Sequence, residues 1–236
     1  MTIFLRLLAA HMLTDFIIFR DRICFLRQGG GCKGCLLHSA IYIACIAILC
    51  WPFMGIDWVI FGGFKFNGWF MLAPLALLHI AADRFDRSLT AAGAPGYNTA
   101  YFLLWQTISV LLLFLIAPLA HYTEIIYFDK VLLVVIGAVF VTYFLMLLLY
   151  YIEKDLSAQE FPIPDERYAS MLYRLVIYLL LLIPGYMGWG LGVLWLVFAS
   201  STKNISGFDG SKIRIYAGTP LTVIAAVIIR IFVLYA

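Results

Sequence analysis

Long apolar runs separated by short polar stretches organise this chain. A helix crossing about 30 Å of hydrocarbon needs roughly 20 mostly apolar residues. Runs of that order lie near 3–19, 35–53, 68–83, 98–120, 131–152 and 216–234. The stretch 171–200 is also apolar but too long for one ordinary crossing. Its middle reads Pro184-Gly185-Tyr186-Met187-Gly188-Trp189-Gly190, and proline with clustered glycines breaks helices. A hairpin of two short helices, near 171–184 and 187–200, is therefore expected. The pattern predicts an all-α, polytopic transmembrane helix bundle of about seven or eight membrane segments. Between 153 and 170 it changes character, with Glu153, Asp155, Glu160, Asp165 and Glu166 set against Lys154 and Arg167, and Pro162 and Pro164 nearby. The expected organisation is a five-helix membrane domain over 1–152, a solvated acidic linker over 153–170, and C-terminal membrane helices over 171–236.

Composition strengthens this picture. The chain is 64% hydrophobic and 12% charged, whereas soluble domains are about half apolar and a quarter charged. The lipid bilayer is thus its first partner, and a net charge of +3 is too small to argue for nucleic acid. The first apolar run has no basic leader or small-residue cleavage site, so it reads as a span and not as a secretory signal. Lys and Arg in short loops set orientation. Arg20, Arg22, Arg27 and Lys33 occupy loop 20–34, and Arg84 and Arg87 follow the third run. Loops 54–67 and 121–130 carry only Lys65 and Lys130. A multi-pass membrane protein with its N-terminus outside is expected. Lys203, Lys212 and Arg214 in 201–215 fit the cytoplasmic side if 171–200 enters and leaves by the same side or crosses twice. Arg6, Arg174 and Arg230 lie in apolar runs and are expected to snorkel to the interface. Trp51, Trp58, Trp69, Tyr122 and Tyr127 fit an aromatic belt.

The chemistry stands out against this apolar background. His11 and Asp15 sit in LLAAHMLTDFIIF, and His79 and Asp83 in LALLHIAADRF. A spacing of four places each pair on one helix face, about 6 Å apart along the axis. Ionisable groups within a bilayer are costly and mark functional sites. With alternating topology, His38 near the start of the second run and Gln106 about two turns into the fourth join them in the cytoplasmic half. His121, at the outer end, stands apart. Imidazole and carboxylate are ligands for zinc and other divalent ions, so His11, Asp15, His38, His79 and Asp83 form a candidate metal set with a position left for water. Asp15 or Asp83 would otherwise serve as general base or orient a ligating histidine, and Gln106 would orient substrate or water. The plainer readings are that the His/Asp pairs are hydrogen-bonded stitching between helices, that His38 is interfacial, and that Gln106 is a packing residue. Arg84, Asp86 and Arg87 read as headgroup-level charges, the two arginines alternatively holding a phosphate. Cys32-x-x-Cys35-x-x-His38, with Cys24 upstream, has metal-like spacing but no second clear ligand pair. Cys45 and Cys50 read as small core residues.

The order AAHMLTDF, LLHSAIY, LLHIAAD and LLWQ resembles an uncharacterised family, a domain of unknown function, of bacterial polytopic inner-membrane proteins. DERYASMLYRLVIYLLLLIPG, FASSTKNISGF and RIYAGTPLTV are similar to that family's C-terminal hairpin, polar loop and last helix. The family is in turn similar to membrane-bound metal-dependent hydrolases. The resemblance implies that His11, Asp15, His38, His79, Asp83 and Gln106 are its polar positions. This chain departs from the pattern twice. Phe19 stands where the family often has Gln, and Trp105, Gln106 and Ser109 stand where it commonly has Asp-Gln-x-x-His, so the fourth helix supplies one ligand or base fewer. The leading expectation is a metal-dependent hydrolase of a lipid-linked or phosphorylated substrate entering from the cytoplasmic leaflet, with a divalent metal such as Zn as cofactor. The alternative is an ion- or proton-coupled transporter or channel using the same cluster, for which the broken hairpin at 171–200 resembles discontinuous transporter helices. A membrane scaffold binding a partner through the acidic linker is a third reading.

Overall fold

The computed structural model describes residues 2–18, 32–61, 63–91, 99–118, 127–157, 164–201 and 216–235. Most of these are helical. The helices are α1 (Thr2–Phe16), α2 (Cys32–Leu49), α3 (Gly68–Ala91), α4 (Thr99–Ile116), α5 (Tyr127–Val139), α6 (Leu145–Ser157), α7 (Pro164–Leu182), α8 (Gly185–Ser201) and α9 (Gly218–Tyr235). A π-helical segment, Phe140–Phe144, joins α5 to α6. Among the described residues, Thr99–Ile116 and Tyr127–Leu156 are long and apolar enough to cross a membrane. Gly34–Leu49, Gly185–Phe198 and Gly218–Leu234 are shorter apolar helices. Contacts divide the chain into two units, Met1–Tyr97 with Leu104–Leu132, and Asn98–Leu103 with Leu133–Ala236.

In the first unit, α2 packs against both α1 and α3. Their contact buries Ile3, Leu7, Tyr42, Ile46 and Leu75, together with Leu113 of α4. Two helices extend further than their apolar runs. α3 continues to Ala91, two turns past Asp83, and α2 starts at Cys32, so His38 lies two turns inside it. The bundle is not purely helical. Strands β1 (Asp57–Phe61) and β2 (Phe64–Asn67) pair antiparallel, with Asp57 opposite Asn67 and Phe61 opposite Phe64. The sequence signal for this hairpin is the Gly62-Gly63 dipeptide between β-prone residues. Gly63 takes φ +84, a conformation a side chain would resist. Trp58 is buried, not part of a belt, and its indole N–H donates to the Phe53 carbonyl at 2.9 Å. Trp51 and Trp69 are exposed and meet edge to face.

Arg6 does not snorkel. It is buried, with Nη1 donating to the Leu49 carbonyl at 2.7 Å and Nη2 3.3 Å from Asp129 Oδ1. The Phe53 and Phe128 rings sandwich the guanidinium at 4.7 and 4.8 Å.

In the second unit, α7 packs against α8, α9 and the π-helical segment. Val141, Leu145, Ile177, Tyr178 and Ala226 form the buried core. Thr142 Oγ1 donates to the Ala138 carbonyl at 2.6 Å, a local bond that competes with the helix ladder where it widens. The break expected in 171–200 is present between Leu182 and Gly185, and Gly185 takes φ +75. Gly188 makes the return possible, because a Cβ there would meet the Ile183 and Leu180 carbonyls. Arg230 closes the turn by donating to the Leu181 and Gly185 carbonyls at 3.0 and 2.9 Å, a cation satisfying the end of a helix. Arg174 is buried, again in place of snorkelling, with Nε donating to the Ser170 carbonyl. The acidic stretch is largely helix. Glu153 is fully buried in α6, α7 begins at Pro164, and 158–163 lie outside the described residues. Asp155 accepts the Thr99 N–H at 2.9 Å, satisfying a first-turn donor of α4.

Gly137 gives a direct test of this packing. A Cβ there would meet the Tyr178 hydroxyl, with Tyr178 Cζ at 2.8 Å, and that hydroxyl donates to the Val134 carbonyl at 2.9 Å. Gly137→Ala is expected to destabilise the second unit by about 1–3 kcal/mol through overpacking, read as a lower unfolding midpoint in detergent. Adding Tyr178→Phe restores only part, because the ring carbon still clashes. An unchanged midpoint in Gly137→Ala would contradict the packing described.

Candidate metal centre

Three apolar helices bring the polar residues together. α1 contributes His11 and Asp15, α2 His38, and α3 His79 and Asp83, with Gln106 from α4. His11, His38 and Asp83 are buried, and Asp15 and His79 half-buried. The six residues form one connected set. His38 Nδ1 lies 3.0 Å from Asp83 Oδ2. Its Nε2 lies 3.5 Å from Asp15 Oδ1. His11 Nδ1 lies 3.5 Å from Asp15 Oδ2, and its Nε2 3.3 Å from Gln106 Oε1. His79 Nε2 approaches His38 Nδ1 at 3.2 Å.

These distances dictate proton positions. An ionised carboxylate only accepts hydrogen bonds, so His38 Nδ1–H donates to Asp83. A neutral His38 then keeps its lone pair on Nε2, pointed at Asp15 Oδ1. Two electron-rich atoms face each other across 3.5 Å, and Asp15 Oδ1 is buried without a hydrogen bond. Such an edge calls for positive charge between or on its atoms, supplied either by a second proton on His38 or by a shared cation. The 3.5 Å separation is longer than the 2.7–3.2 Å of a good N–H···O bond and close to the roughly 3.4 Å between two tetrahedral ligands each about 2.0–2.1 Å from zinc, so the edge has room for a shared cation.

Asp15, His38 and His79 offer ligand atoms that all lie within 4.8 Å of one another. This three-residue group could hold a metal ion. The five-ligand set expected from sequence is thereby resolved into parts. Asp83 sits on the far nitrogen of His38, where a carboxylate orients a ligating imidazole and raises its basicity. His11 lies between Asp15 and Gln106, and Gln106 meets a histidine as well as packing its helix. His121 and Cys24 lie outside the described residues, as do the side chains of Cys32, Asp86 and Arg87. Cys35 is buried and not in a disulfide, and Cys50 is buried as expected for a core residue.

Sequence reasoning passed over Tyr42. Its ring stacks on His79 with centroids 4.3 Å apart and meets His11 edge to face at 6.4 Å. The signal was available, because Tyr42 lies four residues after His38 and so on the same face of α2. A cavity of about 320 Å³ opens beside the cluster, with His11, Tyr42, His79, Trp105 and Ser109 on its polar side and leucine, isoleucine and alanine elsewhere. No family model matches the chain, and no curated protein or solved structure matches it.

Proposed function

We propose that this chain is a multi-pass membrane protein whose His/Asp cluster holds a divalent metal ion and hydrolyses a lipid-linked or phosphorylated substrate. The observation that carries the reading is the unpartnered, buried Asp15 Oδ1 facing His38 Nε2, with His79 completing a ligand-sized group. Asp15, His38 and His79 would hold the ion, which would supply Lewis acidity and raise the acidity of water. Asp83 fixes the ring of His38 through Nδ1. Gln106 and Asp15 hold the two nitrogens of His11, which lines the cavity. Tyr42 keeps His79 in plane by stacking. Membership of the resembled bacterial family, crossing by the shorter apolar helices as well, and an outside N-terminus belong to this proposal. A mostly apolar cavity that includes His11 and His79 in its lining supports a hydrolase of an apolar substrate over a transporter, for which a polar path would be expected.

Metal analysis tests the reading. Protein purified without chelator is expected to contain about one divalent ion per chain, and His79→Ala is expected to lose it while retaining its helical content. Wild-type protein free of metal would overturn the proposal.

A further inference from the structure

We infer that the cavity beside His79 binds a single alkyl chain of a membrane lipid and so, resting on the hydrolase reading, that the substrate class is an acyl lipid. Charge argues first. Among the described residues that line the cavity none is Lys or Arg, whereas phosphate recognition uses Arg clamps, Lys or helix N-termini. The polar groups that line it are two imidazoles, a phenol, a hydroxyl and an indole, which can orient a neutral head. Position argues next. The lining residues Leu78, Ile108 and Leu112 are 46%, 40% and 37% exposed. Ile108 and Leu112 belong to α4, a helix apolar enough to cross a membrane and little buried inside the protein. In a bilayer such a mouth faces hydrocarbon, so the molecule that meets it is a lipid tail. Size agrees. About 320 Å³ holds roughly ten groups of a water's volume, about 30 Å³ each, which suits part of one chain and is too small for two. His11 and His79 line the cavity and belong to the cluster, so a lipid seated there can bring its polar group to the cluster.

The test uses the full chain in phosphatidylcholine nanodiscs with a fatty acid carrying a photoactivatable diazirine near its end. Excess oleate is expected to reduce labelling of Leu78, Ile108 and Leu112 about tenfold and to leave labelling of Leu77 and Leu115 unchanged. Those two are 67% and 75% exposed and lie outside the cavity, so they report bulk lipid. Ser109→Trp fills the cavity and is expected to remove the competable labelling while metal content stays at the wild-type level. Ala82→Phe does the same from α3 if Ser109→Trp fails to fold. Labelling of Leu78, Ile108 and Leu112 no more competable than that of Leu115 would overturn the inference. Competable labelling in protein that proves free of metal would support the alkyl site and overturn the metal reading alone.

Discussion

His38→Ala is expected to abolish metal binding and any activity of the cluster, a loss of more than about a hundredfold in metal affinity. Among the described residues, His38 touches Asp15, His79 and Asp83. Its removal takes away a ligand and the nitrogen that lies 3.5 Å from Asp15 Oδ1. Asp83→Asn should cost less, about 10–100-fold, the usual effect of altering a group that orients a metal-bound histidine. The amide still fills the space but no longer offers a full negative charge to Nδ1–H. Isothermal titration of chelator-stripped protein with zinc measures both. The ratio between the two variants carries the argument: Asp83→Asn as damaging as His38→Ala would make Asp83 a direct ligand, and Asp83→Asn without effect would remove its orienting role. Gln106 gives a finer distinction, because it reaches the cluster only through His11. Gln106→Ala is expected to spare metal content.

The second large effect is on stability. The Arg6 and Asp129 side chains are 7% and 0% exposed. Removing one partner of a buried pair leaves an uncompensated charge and costs about 3–5 kcal/mol, whereas apolar replacement of both is often neutral. Arg6→Met alone is therefore expected to lower stability by about that amount. Arg6→Met with Asp129→Leu should recover most of it, since the Phe53 and Phe128 rings that hold the guanidinium can hold a thioether too. Unfolding by SDS in mixed micelles gives the three values. A double variant as unstable as the single one would mean that the Leu49 carbonyl, which accepts from Arg6 at 2.7 Å, matters more than the ion pair.

Both predictions depend on pairings between distant parts of the chain, and these were the hardest to read in advance. Arg6 lies in an apolar run, where a cation normally reaches for water, but its partner lies 123 positions on, in a separate helix. Glu153 stands among acidic and proline residues that read as a linker, yet it is buried in α6. The β1–β2 pair has its signal in the Gly62-Gly63 dipeptide, which is short beside the apolar runs that flank it.

Local information was enough for much of the rest. The apolar runs became helices, and the break at Pro184-Gly185 lies where proline and glycine chemistry puts it. His-x-x-x-Asp guaranteed that each pair shares a helix face, since about 100° per residue returns a side chain near its starting direction after four positions. What no local pattern contains is how each helix is rotated about its own axis. A soluble helix reveals that through its apolar stripe, but a helix apolar all round has no such stripe. Packing alone therefore decided that Asp83 faces His38 Nδ1, that Asp15 faces its Nε2, that His11 is held by Gln106, and that Tyr42 lies flat on His79.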